Sequence, residues 1–159
     1  MLELSPPTLA RFCTLRVELG PVRDLGPVRS GHRRVVPITG GRVTGRIEGT
    51  ILDGGADWLT VTAEGVAEMD ARYLIATHDG ALVEIVNQGA RFGPPEVMAR
   101  LAAGEPTDPT LYSMLSTARL ESGHPDYSWV NRLVLVGTGA RDEHEVQVEL
   151  FEVQQGVTA

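Results

Sequence analysis

A charged stripe in the middle of the chain contains residue types suited to acid–base chemistry. Glu68, Asp70 and Arg72 alternate with Met69 and Tyr73, and this period of two predicts a β-strand with one polar and one apolar face. A partly desolvated Asp70 could transfer protons near neutral pH, while the Arg72 guanidinium could hold a carbonyl or enolate oxygen. That chemistry requires both side chains inside a ligand-bearing lumen. Patterning alone favours the opposite arrangement, with the apolar residues in the core and the charges in water.

A second candidate segment lies nearer the C-terminus, where Tyr127, Trp129 and Asn131 occupy alternate positions. The alternation predicts a strand over residues 127–137 whose second half is apolar on both faces, so Trp129 and Asn131 are expected to be at least partly buried. A buried Asn131 needs hydrogen-bond partners, since their absence costs roughly 1–3 kcal/mol. Two interpretations stay open: a core tryptophan with an asparagine bonded to the backbone, or a pocket in which Tyr127 and Asn131 donate hydrogen bonds to a ligand.

Three further side chains complete the candidate site. Glu121 shares a strand face with Arg119, which predicts either a surface pair or part of the polar cluster, and Glu121 is a second candidate for the acid or base. Arg132 is an alternative to Arg72 as the group that holds an oxygen atom. Trp58 follows a glycine-rich turn and is expected either to form a pocket wall or to fill the core.

The composition excludes several mechanisms. All fourteen basic residues are arginine, so lysine Schiff bases, a Walker lysine and a pyridoxal-phosphate anchor are excluded. The four histidines are scattered without CxxC or HExxH spacing, and a polar loop explains His124 and Asp126 better than a metal site does. We therefore predict no metal and no cofactor. Cys13 falls on the apolar face of its strand and is predicted to be an inert core residue.

Length and charge indicate one domain that handles a small molecule. The chain has 159 residues, of which 42% are hydrophobic, and can bury a core without disulfides. Its net charge of −7 disfavours nucleic acid, and no stretch approaches the roughly 20 apolar residues of a membrane helix. The single cysteine and the absence of a signal-peptide pattern predict a cytoplasmic location. A homo-oligomer formed through one face of the domain stays open, because no particular residue specifies it.

Short alternating runs separated by glycine and proline predict an all-β fold. One helix is expected at residues 94–104, where prolines suit the first turn and Gly104 suits the C-terminal end. Strands are predicted at residues 12–19, 34–39, 42–52, 58–63, 66–77, 81–88, 111–121, 127–137 and 145–153, with residues 20–33 as a loop and turns at 40–41, 53–55, 64–65 and 79–80.

These elements are most consistent with one closed antiparallel β-barrel of about eight to ten strands with one short helix, spanning residues 1–159. Closure removes the exposed edges of so many strands, and an eight-stranded barrel has room for one small ligand. The terminal segments 1–10 and 154–159 are expected to be flexible.

In combination, six short motifs resemble the domain-of-unknown-function 3237 family of bacteria and fungi, and the likeness extends from about Phe12 to Val153. The resemblance implies a single antiparallel β-barrel similar to lipocalin-like and allene-oxide-cyclase-like barrels. One departure is the run 112–116, which is smaller and more apolar than the family pattern and suits a different or larger substrate. The motifs are Val36–Gly41, Gly54–Trp58, Asp70–Tyr73, Asp79–Ala81, Gly93–Pro95 and Tyr127–Arg132.

Carried over position by position, the resemblance implies a pocket made by Asp57, Trp58, Asp70, Arg72, Glu121, Tyr127, Trp129, Asn131 and Arg132. The leading hypothesis is a cofactor-independent isomerase, cyclase or dehydratase that acts on a small oxygenated metabolite by acid–base catalysis. In it Asp70, Arg72, Glu121 and Tyr127 are catalytic, and the other pocket residues bind the substrate. The alternatives are a non-catalytic barrel that carries or senses a metabolite, and a scaffold protein with a filled core.

Overall fold

Ten β-strands contain most of residues 2–156, which are the residues that the computed structural model describes. The strands are β1 (Thr8–Leu19), β2 (Arg23–Val28), β3 (Gly31–Gly45), β4 (Gly49–Ile51), β5 (Gly55–Val61), β6 (Ala67–Thr77), β7 (Leu82–Phe92), β8 (Ser113–Glu121), β9 (Leu135–Arg141) and β10 (Glu145–Gln154). One α-helix, α1 (Pro95–Ala102), follows β7, and two 3₁₀ segments lie at Pro109–Leu111 and Pro125–Arg132.

Eight of the strands form a closed antiparallel barrel, as the sequence predicts. Around the barrel the order is β1, β10, β9, β8, β7, β6, β5 and β3, and the pairing of β1 with β3 closes it. The other two strands extend the wall: β4 lies between β3 and β6 beyond the end of β5, and β2 pairs with the first half of β3. Closure leaves the long strands with a neighbour on each side.

The long strand β3 corrects two of the predictions. Gly40-Gly41 was expected to reverse the chain, but β3 continues through it; Gly41 has φ of 133° and pairs with Val17 of β1. A glycine with this backbone angle bends a strand without ending it. The predicted loop at residues 20–33 also contains a strand, since β2 forms a hairpin with β3. Its Pro27 is tolerated because β2 is an edge strand.

Most of the other predicted elements are confirmed. The turns at Gly54, Gly65 and Gly80 connect successive strands, and each of these glycines has positive φ. Helix α1 begins at Pro95 and is followed by Gly104 with φ of 74°. The first residues of the chain differ from the prediction in part, because β1 already begins at Thr8. At the other end β10 extends to Gln154, and residues 157–159 lie outside the described residues.

The segment predicted as a strand over residues 127–137 is wrong in its first half. Residues Pro125–Arg132 form a 3₁₀ segment, and β9 begins only at Leu135. Pro125 fixes a helical φ at its start, and the imidazole Nδ1 of His124 accepts a hydrogen bond from the Asp126 amide at 3.2 Å. These local bonds favour the helical turn over a strand. Apolar residues occur on both faces because the segment packs across the barrel core through the fully buried Val130.

Two hydrophobic clusters occupy the barrel. The larger one contains Phe12, Leu15, Ile75 and Leu150 and is covered by the 3₁₀ segment at Pro125–Arg132. The smaller one joins Val97 and Leu101 of α1 to side chains of β5, β6 and β8. Side chains from both clusters, among them Tyr73 and Met114, line a cavity in the barrel interior.

Candidate functional site

The cavity is bounded by inward-facing side chains of eight strands. Counted as space open to the centres of water molecules, its volume is about 50 Å³. That is room for several waters or one small ligand. Most of its surface is apolar, and its charged and amide side chains come from β5, β7 and β9. The lining residues are Val17, Leu19, Val36, Ile38, Asp57, Met69, Ala71, Tyr73, Asn87, Arg91, Met114, Ser116, Gly139, Arg141, Val146 and Val148.

Three charged side chains face this cavity: Asp57 of β5, Arg91 of β7 and Arg141 of β9. Arg91 is only 5% exposed. Among residues 2–156 none of the three makes an ion pair within 4.0 Å, so they influence one another without being locked together. One carboxylate and two guanidinium groups give the cavity a surplus of positive charge when all three are ionised.

Burial shifts the pKa of each of these groups. It lowers the pKa of Arg91 to about 10, with repulsion from Arg141 as the next cause. It also lowers the pKa of Arg141, although attraction from Asp57 opposes this. Burial raises the pKa of the Asp57 carboxyl above its ordinary value, and the hydrogen bond from the Asp70 amide acts in the opposite direction. A carboxyl group shifted upward is better able to exchange protons near neutral pH.

A gap in the ladder between β5 and β6 positions Asp57. The two strands pair at Asp57 and again at Thr60, but not between these positions. There Asp57 Oδ1 accepts a hydrogen bond from the Asp70 amide at 2.8 Å, in place of a backbone partner. This bond holds one carboxylate oxygen of Asp57 against the wall of the cavity that the residue lines.

Asp57 and Asn87 lie in one row across the sheet, with Ala71 between them. Paired residues on antiparallel strands point to the same face, so all three face inward. With about 4.8 Å between neighbouring strands, the outer two backbones are about 10 Å apart. The single methyl group of Ala71 leaves space between the two polar side chains, and a ligand there would be within reach of both.

Two buried polar atoms of this wall have no hydrogen-bond partner among residues 2–156: Asn87 Oδ1 and Arg91 Nε. The neighbours paired with Asn87 are Ala71 and Ala118, and those paired with Arg91 are Ala67 and Met114. Alanine side chains cannot form hydrogen bonds, and a methionine thioether is only a weak acceptor. Unsatisfied buried groups are uncommon in folded proteins, and two in one cavity are typical of a site that a ligand completes.

The predicted position of Asp70 and Arg72 inside the lumen is wrong. Both side chains are exposed on the outer face of β6, while Met69 and Tyr73 on the opposite face are buried. Asp70 accepts a hydrogen bond from Gln88 on that outer surface. The physical reason is the simple one that patterning favoured: the apolar face of the strand fills the barrel and the charged face is hydrated.

The structure places Tyr127, Trp129 and Asn131 in the 3₁₀ segment at Pro125–Arg132, away from the cavity; Trp129 is partly buried, as predicted, but Asn131 is exposed. Tyr127 donates a hydrogen bond to Asp79 at 2.9 Å, and the Trp129 ring packs edge-on against Phe12 at 6.1 Å. Asn131 accepts a bond from the Ser122 amide at 2.8 Å and donates one to the Ser122 carbonyl at 3.0 Å. Of the two interpretations of this segment, the structure supports a packed tryptophan and an asparagine bonded to the backbone. These side chains contribute nothing to the cavity wall.

The remaining predicted residues divide between the cavity and the outer surface. Asp57, implied by the family resemblance, lines the cavity. Trp58, its neighbour, is 50% exposed and neither fills the core nor walls the cavity. Glu121 and Arg132 are exposed as well. Of the nine predicted pocket residues, the cavity therefore contains Asp57 alone.

Glu121 faces another carboxylate across the sheet, and the repulsion between the two can be tested. It lies directly opposite Glu84 in the β7–β8 ladder, and facing carboxylates destabilise a sheet. The substitution Glu84→Lys is expected to raise the free energy of unfolding by about 0.5 kcal/mol at low salt, in urea titrations. Glu68→Lys is the control, since Glu68 faces Thr60 and Ala90. Equal effects of the two substitutions would show that the facing pair carries no repulsion.

Sequence reasoning missed Asn87, Arg91 and Arg141, although the sequence contains a signal for each. The predicted strand at 81–88 stops at Gln88, whereas β7 continues to Phe92. Extending its alternation places Asn87 and Arg91 on the same face as the buried Ile85. In the same way β9 continues to Arg141, on the face of Leu135. Ending both strands early left the two arginines out of the candidate site.

Cys13 is a core residue, as predicted. Its side chain is 1% exposed in the larger hydrophobic cluster. Burial raises the pKa of the Cys13 thiol to about 12, and the nearby Glu149 carboxylate adds to this shift. The thiolate form is therefore scarce at neutral pH, which makes the thiol unreactive.

No helix within residues 2–156 is long and apolar enough to cross a membrane. Across the same residues, no group of three or more histidine, cysteine, aspartate or glutamate side chains is arranged to hold a metal ion.

The fold and the cavity define a small antiparallel β-barrel with a charged interior. The family described as protein of unknown function DUF3237 matches residues 7–153, so the chain belongs to that family, which confirms the resemblance. A UPF0311 protein of Rhodopseudomonas palustris is 38% identical over 141 residues, which cover 88% of this chain and 92% of that protein.

Two solved structures show the same barrel. A β-barrel-like protein of Acinetobacter baumannii is 37% identical, with a TM-score of 0.84 over 97% of this chain and 100% of that one. A crystal structure described as an enzyme from Penicillium herquei has a TM-score of 0.72 over 97% of this chain and 99% of that one. At 20% identity, this second likeness concerns the fold alone.

Proposed function

We propose that the protein is a cofactor-independent enzyme that isomerises, cyclises or dehydrates a small oxygenated, partly apolar substrate in the barrel cavity. The observation that carries this proposal is the unpaired group of Asp57, Arg91 and Arg141 in a cavity that is otherwise mostly apolar. An unpaired acid–base group beside two cations is costly for the fold to maintain, and such costs are typical of functional sites.

Asp57 is the proposed base and acid. Its carboxylate takes a proton from a carbon next to a carbonyl group, and the electron pair of the C–H bond moves to the carbonyl oxygen to form an enolate. Arg91 and Arg141 stabilise the negative charge on that oxygen as it develops. Where the substrate has a β,γ double bond, the enolate is a dienolate, and the protonated Asp57 returns the proton to the γ-carbon, which completes an isomerisation. Where the substrate has a β-hydroxyl group, the enolate reforms the carbonyl and a double bond between the α- and β-carbons as the C–O bond breaks, and Asp57 gives its proton to the departing hydroxyl group to form water.

Two further observations support an enzyme of this kind. The Penicillium herquei protein with the same fold is described as an enzyme, so this barrel architecture is compatible with catalysis. The cavity volume of about 50 Å³ also favours a small substrate with an apolar part against Val17, Ile38 and Val148. Both observations favour chemistry on a metabolite over a scaffold with a filled core.

The proposal is tested by comparing Asp57→Asn with Asp70→Asn. A thermal-shift screen of small oxygenated metabolites first identifies ligands, since a ligand at 100 times its Kd adds about 2.7 kcal/mol. Turnover of those ligands is then followed by mass spectrometry. We expect Asp57→Asn to lower kcat at least about 100-fold and Asp70→Asn, on the outer surface, to leave it within about twofold of wild type.

Each alternative result has a definite meaning. Turnover lost in Asp70→Asn and retained in Asp57→Asn would restore the role first predicted for Asp70 and overturn the one proposed for Asp57. Tight binding by the wild type without product, and with a flat pH profile, would identify the protein as a carrier or sensor and reject the enzyme.

Asp57→Asn also has a readout that requires no substrate. Because the folded-state pKa of Asp57 is raised from 3.8, the folded protein holds this proton more strongly than the unfolded chain does. Its stabilising contribution is present below pH 3.8 and is lost as the pH rises through the raised folded value. Between pH 4 and 7 the wild type should therefore lose stability relative to Asp57→Asn. A constant difference in urea titrations would show that Asp57 is not desolvated.

A further inference from the structure

We propose that the cavity selects a small organic anion that carries a hydroxyl group, that is, a hydroxycarboxylate. Its carboxylate would lie between Arg91 and Arg141, and its hydroxyl group would bind the side-chain amide of Asn87. This inference names the substrate class of the proposed function and rests on it, because both concern the same cavity.

The preference for an anion follows from the charge of the cavity wall. Arg141 lies close enough to Arg91 to disfavour its charged state by repulsion, and among the described residues Asp57 is the one carboxylate that lines the cavity with them. A ligand with one negative charge would neutralise the net positive charge of Asp57, Arg91 and Arg141. The planar fork of a guanidinium matches the two oxygens of a carboxylate, and hydrogen bonds of this type are about twice as strong as neutral ones.

The burial and the unsatisfied Nε–H group of Arg91 favour a role in binding an anion. Its side chain is 5% exposed, and its Nε–H group has no acceptor among the described residues. Ala67 and Met114, which pair with it across the ladder, offer only a methyl group and a thioether. A carboxylate oxygen within reach of Nε would satisfy this donor and offset the cost of its burial.

Asn87 specifies the hydroxyl group. Its Oδ1 atom is buried without a partner, and it lies between Ala71 and Ala118, neither of which forms a side-chain hydrogen bond. The side-chain amide of an asparagine can adopt two orientations, related by a flip of about 180°, in which its oxygen and nitrogen exchange positions. A hydroxyl group both donates and accepts, so it satisfies Asn87 in either orientation. A methyl or methylene group at the same place would leave the amide unsatisfied.

The test uses small matched pairs of acids that differ by one hydroxyl group: glycolate with acetate, and lactate with propionate. Methyl lactate serves as the uncharged probe. Isothermal titration calorimetry with the wild type is expected to show about tenfold tighter binding of the hydroxylated member of at least one pair, the effect of one hydrogen bond to a buried amide. The methyl ester should bind about 100-fold more weakly than lactate.

Two variants separate the two contacts. Asn87→Leu should bind both members of the preferred pair equally, and Gln88→Leu, on the outer face of the same strand, should keep the preference of the wild type. Circular dichroism and urea titration confirm that each variant is folded. Selectivity retained in Asn87→Leu, equal binding within both pairs by the wild type, or no binding of any acid would overturn the inference.

The outcomes for substrate class and for catalysis are distinguishable. If hydroxylated acids bind with the expected selectivity but no bound compound is converted in an Asp57-dependent reaction, the binding inference stands and the proposed enzyme fails. If Asp57-dependent turnover is found only with uncharged compounds, the enzyme stands and the hydroxycarboxylate class is rejected.

Discussion

Replacing Arg91 with methionine is expected to stabilise the fold and to abolish anion binding in the cavity. Burial lowers the pKa of Arg91 from its ordinary value to about 10, and at about 1.36 kcal/mol per unit this shift is equivalent to about 3 kcal/mol against the charged form. Methionine is unbranched and apolar, and it fits irregular spaces. Because the attraction between Arg91 and Asp57 is lost as well, we expect a gain of about 1–3 kcal/mol in the free energy of unfolding.

The loss of function should accompany this gain. Without the Arg91 guanidinium, an anion in the cavity loses a charge-assisted pair of hydrogen bonds, so binding of a carboxylate should weaken about 100-fold or more. The combination of higher stability and weaker binding is typical of a residue kept for function at the expense of the fold. If Arg91 served only to stabilise the fold, Arg91→Met would instead lower the free energy of unfolding.

Urea titration and calorimetry on Arg91→Met and Arg72→Met measure both effects. Arg72 is exposed on the outer wall, so Arg72→Met should change stability by less than about 0.5 kcal/mol and should leave binding unchanged. If Arg91→Met were destabilised instead, Arg91 would be holding the barrel together, and its role in the cavity would have to be abandoned.

The substitution Gly41→Ala is expected to destabilise the protein by about 4 kcal/mol, the range of severe core disruption. Gly41 has φ of 133°, which an L side chain rarely adopts, and an added β-carbon would overlap the carbonyl oxygen of Arg16 on β1. The overlap falls in the β1–β3 pairing, which is the contact that closes the barrel. Relief would require the two backbones to separate there, and the cost would include the hydrogen bonds on each side.

Gly26→Ala separates the effect of the backbone angle from the effect of the overlap. Gly26 also has positive φ, at 76°, but an added β-carbon there meets nothing within 4 Å. Its replacement should cost only about 1–2 kcal/mol from the unfavourable backbone angle. Equal midpoints for the two variants in thermal unfolding would mean that β1 and β3 can separate freely at Gly41, contrary to the tight closure seen in the structure.

Much of the fold follows from patterns that act over a few residues. The alternation of β1 places Cys13, Leu15 and Val17 in the core, as predicted. The turns at Gly54 and Gly80 lie where short polar runs require positive φ. Patterning also indicated correctly that Asp70 and Arg72 face solvent, whereas the competing hypothesis, which placed the charged stripe inside a ligand-bearing lumen, was wrong. Local signals compete as well, and at Pro125 the proline and the His124 cap overcame the alternation that predicted a strand.

The sequence by itself determined the β class, the hairpins and the helix, because these depend on interactions between near neighbours along the chain. It also determined the family, because the motifs that identify the family are short runs of sequence. Only the tertiary structure decided that Asp57, Asn87, Arg91 and Arg141 share one cavity. They come from three strands, β5, β7 and β9, whose registers are fixed when β1 pairs with β3 and closes the barrel. Whether the space inside the barrel is filled or left as a cavity depends on the summed volume of the inward-facing side chains from all eight strands. No single stretch of sequence contains that sum.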